Sequence, residues 1–190
     1  MTAQFAPKIT RRPGAATDAK RLKEILRVDH AGELGAVRIY QGQLAVLGKS
    51  PRAQGSADIV RHMAAQEAEH KAAFDQLLAE RGTRPSLLEP LWSVAGFALG
   101  AATALIGERA AMACTVAVEE VIGEHYGRQI DEIDEAEPQL AEKLRELRSE
   151  ELEHRDTGLA EGAEKAPAYP LLSGVIKAGC RLAIKIAEKV

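Results

Sequence analysis

Glu67-Ala68-Glu69-His70 and Glu151-Leu152-Glu153-His154 are two copies of one Glu-x-x-His spacing, and each follows a lone glutamate set in an apolar pattern. The lone residues are Glu33 and Glu119, which precede their pairs by 34 and 32 positions. On an α-helix, residues three apart share a face, so the glutamate and histidine of each pair can reach one ion. Chance alone yields such a pair about as often as not in a chain this rich in glutamate. The weight of the observation lies in where the pairs fall.

Leu22, Leu26, Glu33, Val37, Tyr40, Leu44 and Leu47 recur at spacings of three, four and seven, as one face of a helix does. Met63, Glu67, His70, Phe74 and Leu77 form a second such stripe. Met112, Val116, Glu119, Tyr126, Ile130 and Ile133 form a third, and Leu140, Leu144, Leu147, Glu151, His154 and Gly158 a fourth. Acidic neighbours fall elsewhere: Glu120, Glu124 and Asp131 share a polar face of the third helix. Glu119 is therefore chosen over Glu120 and Glu151 over Glu150, and the two rejected residues are expected to be dispensable. An inward carboxylate is costly unless it is protonated, paired or bound to metal. Four close together repel one another, and two divalent cations cancel their charge. A single glutamate is usually solvated or salt-bridged, but that reading fails for six polar residues spread over four apolar faces.

Two lone glutamates and two Glu-x-x-His pairs, all pointing inward, are the established ligand set of ferritin-like di-iron and di-manganese bundles. The expected metal ligands are Glu33, Glu67, His70, Glu119, Glu151 and His154. No stretch alternates with period two, so the chain reads as all-α. Helices are expected over 19–48, 52–81, 87–107 running on into 108–136, 138–163 and 168–189, with Asp18 as an N-cap and Pro138 in a first turn. The 190 residues suit one domain over 19–190. A flexible basic arm is expected over 1–18. The first 20 residues carry Lys8, Arg11, Arg12 and Lys20 against Asp18 and hold no apolar signal core.

The chain also reads as a duplication. Tyr40 and Tyr126 each lie seven residues after a lone glutamate, and Pro90-Leu91-Trp92-Ser93 recurs as Pro170-Leu171-Leu172-Ser173 at an offset of 80. The fold expected is a ferritin-like four-helix bundle of two pseudo-symmetric helix pairs, plus two additional helices. The first of these, an uncharged run from Pro90 to Gly107, reads as buried or membrane-dipping. The second is amphipathic, with Lys177, Arg181, Lys185 and Lys189 opposite Leu172, Val175, Leu182 and Ile186. Either it covers the bundle with its charges in water, or it lies on an anionic membrane with its lysines toward headgroups. A net charge of −3, without a basic cluster interleaved with aromatics, gives no sign of a nucleic-acid partner. Cys114 and Cys180 lie outside any CxxC motif and read as small core residues.

Several segments resemble the demethoxyubiquinone hydroxylases of ubiquinone biosynthesis. They are Asp29-His30-Ala31-Gly32-Glu33, Arg38-Ile39-Tyr40, Ala113-Cys114-Thr115-Val116-Ala117-Val118-Glu119-Glu120 and Glu150-Glu151-Leu152-Glu153-His154. Ala166-Pro167-Ala168-Tyr169 and Ala178-Gly179-Cys180-Arg181 add to the likeness. The resemblance implies an O2-dependent di-iron monooxygenase that hydroxylates the ring of a polyprenylated demethoxybenzoquinol, using an electron donor. It implies two Fe ions per chain, one at Glu33, Glu67 and His70 and one at Glu119, Glu151 and His154, with Glu67 and Glu151 bridging. Tyr126 is a further candidate for a catalytic hydrogen bond, beside its alternative as a core tyrosine, and His30 and His125 adjoin the ligand faces. The enzyme is expected peripherally on the cytoplasmic face of a bacterial cell membrane, or alternatively on the matrix side of the mitochondrial inner membrane. It is expected as a homo-oligomer or in complex with other ubiquinone-biosynthesis proteins. The rivals are a ferritin-like ferroxidase or iron-binding protein, a di-manganese catalase and a metal-free structural bundle.

Overall fold

The computed structural model of the chain describes residues 18–190; the arm expected over 1–18 lies outside them except for Asp18. The described residues form six α-helices and no strand: α1 (Ala19–Leu47), α2 (Gln54–Glu80), α3 (Glu89–Ile106), α4 (Glu108–Ile133), α5 (Pro138–Ala160) and α6 (Tyr169–Ala187). Local chemistry sets their ends. The Asp18 carboxylate accepts the Lys20 N–H at 3.0 Å and caps α1. Pro90, Pro138 and Pro170 occupy first turns, where a missing N–H costs nothing. Gly82 (φ 55°) and Gly162 (φ 82°) close α2 and α5 in the left-handed region.

The four striped helices bury the faces that the periodicity assigns. Two apolar clusters result. One gathers Leu22, Leu26, Phe74, Tyr126, Ile133 and Leu144; the other gathers Tyr40, Leu47, Val60, Met63, Met112 and Val116. On every striped helix the polar residues lie in sequence between its contributions to the two clusters. This ordering makes α1 antiparallel to α2 and α4 antiparallel to α5, and it leaves the polar groups sealed in the middle of a bundle about 40 Å long.

The expected continuity of 87–107 into 108–136 is not observed. Gly107, at φ 144° and ψ 169°, breaks the run into α3 and α4. An L-residue with a side chain would be strained there, so α3 turns away from α4 and lies mainly along α1. Backbone meets backbone at that contact. A Cβ on Gly100 would stand 1.9 Å from the Ile39 carbonyl oxygen, and one on Gly42 would stand 2.2 Å from that of Phe97.

Nor is α3 buried. Only Gly96, Gly100, Thr103 and Ala104 are enclosed, while Val94 and Leu105 are 68% and 74% exposed. Small residues face the protein and large ones face outward. Helix α6, which packs on α4, is oriented likewise. Its Lys177 pairs with Glu120 and its Arg181 with Glu124 at 3.1 Å, both on the polar face of α4. Half of the stripe's cations thus hold α6 onto the bundle, as the first of its two expected placements has it, and Leu171, Val175 and Leu182 are exposed.

Gly100→Ala should therefore destabilise the fold by about 1–3 kcal/mol, the usual cost of overpacking. Thermal unfolding followed by circular dichroism reads this directly. The same change at Gly174, where an added Cβ meets nothing within 4 Å, should leave stability unchanged or slightly raised.

Candidate metal centre

All six residues singled out by spacing converge in the sealed middle of the bundle, each at most 3% exposed. Glu33 comes from α1, Glu67 and His70 from α2, Glu119 from α4, and Glu151 and His154 from α5. Donor atoms of Glu33, Glu67, His70 and Glu151 lie within 4.8 Å of one another, and so do those of Glu67, Glu119, Glu151 and His154. Glu67 and Glu151 belong to both groups. Each histidine turns Nδ1 inward: that of His70 is 3.2 Å from Glu151 and 3.5 Å from Glu33. That of His154 is 3.1 Å from Glu67 and 3.4 Å from Glu151.

Among the described residues, both oxygens of Glu67 and one each of Glu33, Glu119 and Glu151 have no hydrogen-bond partner although they are buried. His154 Nδ1 is likewise without a hydrogen bond. Unsatisfied buried acceptors are rare and costly. Carboxylate oxygens and imidazole nitrogens with free lone pairs, grouped twice around two shared carboxylates, suit a pair of divalent cations. These groups can hold metal.

Without a cation the charges strain one another. Burial, and then the charges of Glu151, Glu119 and Glu33, hold the Glu67 carboxyl well above the usual carboxylate range. Burial and then Glu151 do the same to Glu119, and burial raises Glu33. Glu151 is the exception. Burial pushes it up too, but the close approach of the His154 and His70 rings outweighs that and brings it to about 2. For His70, burial favours the neutral ring, yet the nearby carboxylates of Glu151 and Glu33 raise it to about 11.

Several partners lay beyond the reach of single-helix periodicity. Tyr40 donates to Glu119 at 2.9 Å and Tyr126 donates to Glu33, so each tyrosine serves the lone glutamate of the other repeat rather than its own. His70 Nε2 is 2.6 Å from Glu150, and His154 Nε2 is 3.1 Å from Gln66. Glu150, set aside by the face reading, therefore touches a site residue. His30 pairs with Asp75 at 2.8 Å, and His125 lies 3.3 Å from the buried Asp29.

An apolar groove of about 440 Å³ opens on the side where α1, α3 and α6 meet, lined by Gly35, Ile39, Trp92, Leu99, Ile176 and Gly179 among others. Gly32 and Val118, the chain neighbours of Glu33 and Glu119, also line it. The exposed apolar faces of α3 and α6 therefore flank a groove whose wall includes the chain neighbours of two of the carboxylates.

An all-α bundle with two metal-capable carboxylate-histidine groups sharing two glutamates defines the general class. The particular family follows from comparison. The family model described as "Ubiquinone biosynthesis protein COQ7" matches residues 20–187. A 3-demethoxyubiquinol 3-hydroxylase of Rhodospirillum rubrum is 57% identical over 180 residues, covering 95% of this chain and 84% of that one. The human mitochondrial NADPH-dependent 3-demethoxyubiquinone 3-hydroxylase is 51% identical over 170 residues, 87% of this chain and 76% of that one. The mitochondrial 5-demethoxyubiquinone hydroxylase of Saccharomyces cerevisiae is 39% identical over 202 residues, 98% of this chain and 85% of that one. The chain belongs to the COQ7 family of ubiquinone biosynthesis proteins.

Metal uptake should be coupled to proton loss. Carboxyls held above their usual range and an imidazolium held at about 11 must all give up protons before they can bind a cation. Apparent affinity should thus rise as pH rises through neutrality, and calorimetry in buffers of different ionisation enthalpy should detect released protons. A pH-independent affinity with no release would contradict these electrostatics.

Proposed function

We propose that the chain is an O2-dependent hydroxylase that adds a hydroxyl group to the ring of a polyprenylated demethoxybenzoquinol, using two irons. Glu33, Glu67 and His70 would hold one iron and Glu119, Glu151 and His154 the other, with Glu67 and Glu151 common to both donor groups. The observation that carries this reading is the pairing of a double carboxylate-histidine group with an apolar groove on the neighbouring face of α1 and α4. The names of the relatives support the reaction. A ferroxidase needs a hydrophilic entry for iron, and a groove of this composition does not supply one.

Two ferrous ions would supply the electrons that activate O2. What the chain's own residues do can be stated more closely. Tyr126 holds Glu33 and Tyr40 holds Glu119 through hydrogen bonds that fix the carboxylates before metal arrives. The two apolar clusters on either side keep water from the reacting atoms. The groove admits the ring and leaves the isoprenoid tail outside, against the exposed leucines and valines of α3 and α6. α3 alone among the described helices has the length and composition of a membrane span, with 22% of it buried. With Leu91, Val94, Leu105 and Ile106 exposed, it presents apolar surface of the kind that contacts a bilayer face. The relative from human cells is named NADPH-dependent, so a reduced nicotinamide nucleotide is the first electron donor to supply.

Iron-loaded protein should hydroxylate a short-chain demethoxyquinol in the presence of O2 and reductant. Rapid oxidation and mineralisation of excess ferrous iron, with no attack on the quinol, would instead favour the ferroxidase. Gly179→Leu fills the groove at a position where an added Cβ meets nothing within 4 Å. It should leave metal content and fold intact while lowering kcat/KM by about tenfold or more, equivalent to at least about 1.4 kcal/mol of lost transition-state binding.

Membrane contact is tested separately. Val94→Ser with Leu182→Ser should reduce co-sedimentation with vesicles, and raising the salt concentration should not. Binding that salt abolishes would restore the electrostatic picture.

A further inference from the structure

Gln66 and Glu150 occupy equivalent positions in the two repeats: each directly precedes a shared glutamate, Glu67 or Glu151, and lies four residues before its own helix's histidine. Spacing alone would pair each with that histidine. The structure crosses them instead. Glu150 on α5 approaches Nε2 of His70 on α2 at 2.6 Å, and Gln66 on α2 approaches Nε2 of His154 on α5 at 3.1 Å. With a cation on each Nδ1, each Nε2 would keep the ring hydrogen and donate it outward. The exchange is reciprocal in geometry and unequal in chemistry, because one acceptor is a carboxylate and the other an amide oxygen.

We propose that this single Glu/Gln difference makes the two metal positions inequivalent: Glu150 makes the position at Glu33 and His70 the tighter one, and Gln66 leaves the position at Glu119 and His154 the weaker. A carboxylate acceptor makes a stronger, charge-assisted hydrogen bond and pushes more electron density onto the ring than an amide does. Its negative charge also lies on the His70 side alone, since the remaining donors are matched between the halves: one lone glutamate, one tyrosine on it, one histidine and the same two shared carboxylates. Glu150 and Gln66 are positioning residues that act through the histidines. The inference rests on the metal-centre reading above.

The test is stepwise titration of metal-free protein with Co(II), followed by calorimetry and ligand-field absorption, without any assay of turnover. The wild type should bind two ions in two resolved steps. Glu150→Gln should weaken the tighter step by about tenfold or more, the usual effect of losing a carboxylate behind a ligating histidine, and so bring the steps together. Gln66→Glu should instead strengthen the weaker step. In the exchanged protein, Gln66→Glu with Glu150→Gln, two separated steps should return in reversed order. His154→Ala reads that order, removing the weaker step in the wild type and the tighter one in the exchanged protein. A merely structural role for Glu150 predicts no such restoration. Two ions bound in indistinguishable steps by the wild type, or steps unmoved by Glu150→Gln, would overturn this proposal alone. Failure to bind two ions at all would overturn the metal-centre reading together with it.

Discussion

Four carboxylates enclosed in an apolar bundle are the constraint on which the rest of this structure depends. Enclosing even one without a partner is expensive, and here Glu33, Glu67, Glu119 and Glu151 are all at most 1% exposed. The protein's own hydrogen bonds go only part of the way. Tyr40 and Tyr126 satisfy one oxygen each, and the two histidines draw Glu151 into its charged form. Glu67 has no hydrogen bond on either oxygen among the described residues, although His154 Nδ1 stands 3.1 Å away. A pair of cations would resolve the imbalance, and the apolar clusters at both ends would then serve as walls rather than as the whole of the core.

Duplication explains how the site is built. Two helix-pair units meet face to face, and the contacts that matter pass between units: Tyr40 to Glu119, Tyr126 to Glu33, Glu150 to His70, Gln66 to His154. A unit alone would hold neither its carboxylates nor its histidines in place. The additional helices repeat the logic outside the bundle, where α3 lies on α1 through glycines and α6 lies on α4 through ion pairs. Their large apolar side chains are thereby left exposed, beside an apolar groove.

Much of this was legible in the sequence for a physical reason. A polar ligand inside an apolar stripe is visible at helical period, so Glu33, Glu67, His70, Glu119, Glu151 and His154 stood out. The choice of Glu119 over Glu120 follows from the same faces, and Glu120 does turn outward to Lys177. Gly107 was not legible as a break, since an isolated glycine within a helical pattern is often tolerated and its φ is set by how α3 packs on α1. The outward turn of α6 was hidden as well. Its two stripes can be read from one helix, but which stripe faces the protein depends on Glu120 and Glu124 of another. Gln66 and Glu150 were missed because their partners lie across the bundle, 88 and 80 residues away. The repeat was the signal that pointed to them, because one copy has an amide where the other has an acid.

The central claim is that the buried carboxylates exist to hold a coupled pair of irons. Iron content together with Mössbauer spectroscopy of the oxidised protein tests it most directly. The account predicts two irons per chain with a diamagnetic ground state, because carboxylates shared by both ions couple their spins. One iron per chain, or two showing the magnetic splitting of isolated high-spin ferric ions, would contradict it.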